Sequence, residues 1–389
     1  MIAFKGGKVI TVTNGITENG TVLIEGNKIL AVGKEVDIPA GSQVIDVSGK
    51  WVTPGFIDAH SHISAMGEPS VMCEIPDLNE ISSPVMAHVR MFDSFNCNDS
   101  AIPEVRNAGF TTCYTTTGGV PVINGLGMAI KLKPAKTIFD MYIPGCEQMK
   151  MALGENPKRI FGGMQKMPMT RLGVGALIRE TLFNARQYSD ELAASNSNAK
   201  FHRNFQLEAL VPLVRGQMKA RIHCHRASDI VTAINLAEEF NLDYSLEHVT
   251  EGYKVAEYLA QKNTTCVVGP LIMPPIKMEI WDMKLENPVI LEKAGVNFCL
   301  TEDGASSIKY LPMHIGLCIA RGLSEAMAFR SITMNPAKLL GLDHRIGSLE
   351  AGKDADIAVF DGHPFSNFTR CRMTMIDGQI YNNTLSDPS

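Results

Sequence analysis

The sequence predicts an α/β protein, a (β/α)8 barrel over residues 53–346 with a small β-sandwich made by the two chain ends, residues 1–52 and 347–389. Three observations carry this. The first 52 residues are short apolar runs broken by turn dipeptides, with no helical period. The middle of the chain alternates strand-like apolar runs with stretches of helical period, as repeated βα units do. After residue 346 short strands return.

Taken in order, the opening strands are Val9 to Val12, Val22 to Ile24, Ile29 to Val32 and Val44 to Val47, with Asn14-Gly15 and Gly26-Asn27 as turns between them. Eight barrel strands are predicted at 53–62, 110–116, 127–132, 145–152, 219–225, 243–249, 264–269 and 296–301. Among the intervening helices, Ser324 is placed to cap the segment Glu325 to Ile332, and Asn335-Pro336 opens another short helix. The closing strand is Ala355 to Phe360, stopped by Asp361 and Gly362. No internal repeat or low-complexity tract interrupts the pattern.

Composition narrows the function classes. With 45% hydrophobic and 20% charged residues the chain has enough apolar material for a large core, which excludes disorder. A net charge of -5 offers no basic footprint, so nucleic acid is not an expected partner. Charges near the start argue against an export signal, and no apolar run is long enough to span a bilayer. Nine cysteines scattered singly suit a reduced, cytoplasmic protein. A small molecule is the expected substrate, and the oligomeric state is left open, a homo-oligomer included.

Five of the ten histidines fall at predicted strand ends. Strand alternation puts Asp58, His60 and His62 on one face at the end of the first strand, where two imidazoles can share one metal ion. His223 and His225 end the fifth strand in the same way, and His248 ends the sixth. His88, His202, His314, His344 and His363 lie in predicted helices or loops and read as structural or solvated. Glu302 and Asp303 sit just beyond the last strand; a carboxylate facing a histidine-held cation could take a proton from a water that the cation acidifies.

The stretches Pro54 to His62, Ile222 to His225, Leu246 to Thr250, Thr301 to Asp303, Ile332 to Ala337 and Gly347 to Val359 together resemble the amidohydrolase superfamily, particularly the branch of imidazolonepropionase-like enzymes and metal-dependent dipeptidases. The resemblance spans nearly the whole chain in the expected order. It implies a TIM barrel in which His60 and His62 bind the more buried metal, His223 and His248 a second ion, and Asp303 serves as both ligand and general acid/base. It also implies a divalent metal, zinc by preference, at one or two ions per chain. Binuclear relatives bridge their ions with a carbamylated lysine on the fourth strand, and Lys150 is the matching candidate, with Glu147 as the fallback. His225, one pleat beyond His223, is assigned to substrate contact. Glu302 is taken as a loop carboxylate, and Asp58 or Glu247 as the groups that orient ligand imidazoles.

The activity so implied is hydrolysis of a linear or cyclic amide C–N bond by metal-activated water. Hydrolytic deamination of an amino-substituted heterocycle is the rival within enzymes, and a barrel that has lost catalysis is the rival outside them. Two loops stand out as candidate walls for a substrate: the glycine-rich stretch 115–127, and 269–283 with its methionines and Trp281. Arg226 and Lys309 are the nearby positive residues that permit a carboxylate-bearing substrate.

Overall fold

The computed structural model describes residues 1–69, 76–195 and 201–387. The chain opens with β1 (Ile2–Ile10), β2 (Ile16–Glu25), β3 (Lys28–Gly33), β4 (Gln43–Asp46) and β5 (Trp51–Pro54). The barrel strands follow: β6 (Phe56–Ser61), β7 (Phe110–Thr115), β8 (Ile123–Lys131), β9 (Tyr142–Ala152), β10 (Ala220–Cys224), β11 (Tyr244–His248), β12 (Thr265–Val268) and β13 (Phe298–Leu300). Strands β14 (Ile357–Phe360), β15 (Cys371–Ile376) and β16 (Gln379–Asn383) end the chain.

The eight barrel strands form one sheet in sequence order from β6 to β13. Its ends approach each other where His62 N donates to Gly304 O at 2.7 Å and Thr301 Oγ1 donates to His60 O at 2.7 Å. The barrel is thus nearly closed. One strand departs from the expected alternation, since β8 runs antiparallel to both β7 and β9. The reason is chain length: residues 116–122 and 132–141 are too short to carry the crossover that a parallel neighbour needs, which takes a dozen residues or more. The predicted first strand, 53–62, is likewise two strands. It breaks at Gly55, where a Cβ would lie 2.2 Å from the Thr111 side chain, so β5 leaves for the other sheet and β6 for the barrel.

The remaining eight strands form a second sheet in which β14 pairs with β5, so the two chain ends meet as expected. The pairing forks along one side of β1, where β4 pairs with Ile2 to Lys5, and β5 with Lys8 and Val9. Its apolar face buries Phe4, Val22, Ile24, Val52, Ile357 and Met373 in a core of its own. Polar bonds tie this sheet to the barrel. Lys131, at the end of β8, is buried against Asp354 at 2.8 Å and Asp356 at 3.1 Å, and against Asp377.

Helices cover the barrel after most strands, among them Glu155–Gly163, Arg171–Ala194, Ala227–Glu239 and Asn287–Lys293. The predicted cap is present, with Ser324 accepting from Met327 N at the head of Glu325–Ser331. Among the described residues no helix is long and apolar enough to cross a membrane. All eight described cysteines are free, while Cys73 lies outside the described residues.

Candidate metal centre

The strand ends of β6, β10, β11 and β13 converge on one mouth of the barrel, and each of the five principal candidates is there. His60, His62 and Asp303 offer ligand atoms within 4.8 Å of one another, as do His223, His225 and His248. Asp303 Oδ1 lies 3.4 Å from His60 Nε2 and 3.1 Å from His62 Nε2, and its Oδ2 lies 3.6 Å from His248 Nδ1. The imidazole centroids of His60 and His248 are 4.9 Å apart, so the two groups adjoin.

Hydrogen bonds fix which nitrogen of each ring faces the centre. His62 Nδ1 donates to Thr116 O at 2.8 Å and His248 Nδ1 to Gly269 O at 2.9 Å, because a carbonyl can only accept. His60 Nδ1 meets Glu247 Oε2 at 2.7 Å, and an ionised carboxylate likewise makes that nitrogen the donor. The Nε2 lone pairs of all three rings are therefore free to point inward. Burial depresses the histidines, His60 to about 3 and His223 to about 4, so both are neutral at neutral pH, as ligation requires.

Glu247 is held in turn by Arg221, whose guanidinium donates to both carboxylate oxygens at 2.7 and 2.8 Å. Burial alone would raise the Glu247 pKa, but Arg221 and the His60 hydrogen bond outweigh it and hold the carboxyl well below the usual range. Asp303 behaves the same way, since the neighbouring His62, His60 and Lys150 overcome its desolvation and keep it ionised. Asp58 does not orient an imidazole. Its carboxyl group accepts from His60 N at 2.8 Å and lies 2.7 Å from Thr301 Oγ1, and so pins the junction of β6 with β13.

On β9 the side-chain parity separates the two bridge candidates. Lys150 points inward, is 1% exposed, and sets Nζ 3.0 Å from His60 Nε2; burial lowers its pKa to about 8. Glu147, an odd number of residues away, points to the opposite face and lines a separate cleft with Arg90, Phe92 and Tyr142. It cannot bridge the two groups, and the fallback is withdrawn.

Several other expectations are revised. His225, expected to contact substrate, lines the cavity and is also buried within the second histidine group, with Nδ1 2.8 Å from Thr250 Oγ1. Glu302 lies in the loop after β13 and is buried there, bonding His314 Nδ1 at 2.8 Å, which gives His314 a structural role. Lys309 pairs with Glu104, and Arg226 faces a different cleft, so neither lines the central cavity. Lys277 and Arg159 do, and neither had been singled out.

That cavity, about 290 Å³, is lined by His62, Lys150, His223, His225, His248 and Asp303 at its base and by Met66, Val120, Met273, Ile276 and Ile280 on its walls. Both predicted loops contribute. Gly119 packs so closely that a Cβ would lie 2.8 Å from His223 Nδ1, although Ile123 to Gly127 of the same stretch belong to β8. From 269–283 the wall takes Met273 and Ile276, whereas Trp281 is 69% exposed and points elsewhere.

The backbone at the site is strained. His248, Val249 and Asp303 have φ of 74°, 46° and 55°, in the left-handed region that non-glycine residues avoid. For β-branched Val249 the cost is greatest, and the surrounding contacts hold it, including Asn287 Nδ2 donating to Val249 O at 2.9 Å. The unpartnered atoms cluster here too: His223 Nε2, His248 Nε2 and Asp303 Oδ1 are buried without hydrogen-bond partners. Buried polar atoms are rarely left so, and several converging lone pairs suit a cation.

Comparison with known proteins agrees with this architecture. An amidohydrolase crystal structure from Thermotoga maritima superposes with a TM-score of 0.93 at 34% identity, covering 98% of this chain and 100% of that one. An imidazolonepropionase of Rhizorhabdus wittichii is 26% identical over 89% of this chain and 89% of its own length. The amidohydrolase tasK of Hapsidospora irregularis is 25% identical over 92% of this chain, which spans only 39% of that longer protein. The sequence pattern of the Amidohydrolase family matches residues 51–381, the whole barrel and the closing strands, and the chain belongs to that family.

Proposed function

We propose that the protein is a metal-dependent hydrolase that cleaves the C–N bond of a small linear or cyclic amide. The observation that supports this most is the pair of adjoining ligand groups in which His223 Nε2, His248 Nε2 and Asp303 Oδ1 are buried without a hydrogen-bond partner. His60, His62 and Asp303 would hold one cation and His223, His225 and His248 a second. Imidazole and carboxylate donors suit zinc, with manganese and iron within the same chemistry. When bound, such an ion supplies Lewis acidity, lowering the pKa of a water and polarising a carbonyl.

The protein's own groups then divide the remaining work. Asp303 is ionised, sits between the two groups and lines the cavity, so it takes the proton from the attacking water and returns it to the departing nitrogen. That return avoids expelling an unprotonated amine. Glu247 and Arg221 keep His60 in one tautomer and orientation throughout. The apolar walls exclude bulk water, and Lys277 and Arg159 supply positive charge near the mouth for a carboxylate-bearing substrate.

Lys150, once carbamylated, would help to hold both cations. Its amine adds to carbon dioxide, forming an N–C bond and releasing one proton to water, and the carbamate offers two oxygens in place of one nitrogen. Lys150→Ala should bind about one ion fewer per chain and lose at least tenfold in turnover, with partial recovery on adding a short-chain carboxylate; elemental analysis beside a rate assay reads both. Unchanged stoichiometry would remove the bridge.

The activity itself is tested with a panel of cyclic amides, dipeptides and aminoheterocycles. Hydrolysis of one of the first two classes is the expected result. Ammonia release from the third alone would make the protein a deaminase.

A further inference from the structure

The segment between β12 and the helix Asn287–Lys293 returns across the barrel mouth and presents two side chains to the second histidine group. Glu279 is fully buried. Its Oε2 accepts from Glu155 N at 2.8 Å, and its own N donates to Glu155 Oε2 at 3.2 Å, so the carboxylate is anchored to the start of the helix Glu155–Gly163. Its Oε1 is buried and lies 3.8 Å from His223 Nε2 and 3.7 Å from His225 Nε2, while His223 Nε2 and His248 Nε2 are buried without a hydrogen-bond partner. Lys277 fills the space between them. Its Nζ is 2.8 Å from Glu279 Oε1, 3.0 Å from His225 Nε2 and 3.4 Å from Asn156 Oδ1.

An imidazole nitrogen and a carboxylate oxygen that both face one positive group are the donors a divalent ion takes. Resting on the metal-dependent reading above, we propose that Glu279 is a ligand of the cation at His223, His225 and His248, and that the Lys277 ammonium competes with that cation for Glu279 and His225. Imidazole and carboxylate are the donor types a zinc site uses. Two positive groups cannot share those donors, because repulsion at such distances in a buried setting is severe. Of the two residues, Lys277 is the one free to move: its side chain is 15% exposed and borders the open cavity, whereas Glu279 is anchored at both ends. The ammonium displaced by the ion would turn into the cavity, so loading the second position would also place a positive charge where substrate enters.

The test is a titration of the metal-free protein with Co²⁺ alone, at fixed pH and saturating bicarbonate, following stoichiometry by calorimetry and the ligand field by visible absorption. The unaltered protein should take one equivalent tightly and a second more weakly. Lys277→Met should tighten the second equivalent at least tenfold, and Glu279→Gln should weaken it at least tenfold with a changed cobalt spectrum, the first equivalent being unaltered in both. Should Glu279→Gln fail to fold, Lys277→Met alone decides. A second equivalent whose affinity is the same in Lys277→Met as in the unaltered protein, or a single equivalent in every protein, would overturn the inference. Absence of even the first equivalent would overturn the metal-dependent reading beneath it.

Discussion

Asp303→Asn is expected to reduce turnover about 10³-fold, within the range that general acid–base groups contribute, while the protein stays folded and still binds metal. The amide keeps the size of the side chain, and asparagine tolerates the left-handed backbone that Asp303 adopts at φ 55°. What it loses is the ability to take a proton. Because neighbouring groups hold the Asp303 carboxyl well below its ordinary value, it is ionised throughout the neutral range, and the loss should be the same at every pH there. Turnover and metal content measured on the same preparation check this. Activity within a few fold of the unaltered protein would show that another group moves the proton.

Arg221→Met is expected to destabilise the fold by about 3–5 kcal/mol, the cost of breaking a buried ion pair from one side. Arg221 is 1% exposed and binds Glu247 twice, Gln148 Oε1 at 3.2 Å and Ala59 O at 2.5 Å, with its guanidinium 4.5 Å from the Tyr114 ring centroid. Without it, Glu247 is a buried charge held only by the neutral partners His60 and Ser245, at 2.7 Å each. Adding Glu247→Gln should restore part of the stability, so that the double variant is less impaired than the sum of the singles, as denaturant unfolding can show. The sign of the pH dependence follows from the depressed folded-state pKa of Glu247. Its contribution is fully present above the ordinary value of 4.5 and is lost as pH falls below it, and the two single variants should lack that acid-side slope.

The residues legible in the sequence are those that strand geometry places. His60, His62, His223, His248 and Asp303 each end an apolar run, and the end of a barrel strand is a fixed position in space. Lys150 and Glu147 show how little in a sequence separates an inward from an outward side chain, since a strand turns odd and even residues to opposite faces and a run of apolar neighbours hides which face is which. Glu279 and Lys277 were illegible for another reason. They come from a segment with no period, and only the folded path of 269–286 brings them to His223 and His225. The pairing of Glu302 with His314 likewise depends on how the chain returns, which composition and spacing do not encode, whereas the reversal of β8 follows from the short connections on either side of it.

The most direct test of the account is metal content per chain, by elemental analysis of protein purified without chelator, together with hydrolysis of the amide panel before and after chelation. The account predicts one to two divalent ions per chain, loss of C–N hydrolysis when they are removed, and its return on adding zinc or manganese with bicarbonate. Hydrolysis that persists in metal-free protein, or protein that neither holds metal nor gains activity when metal is supplied, would contradict it.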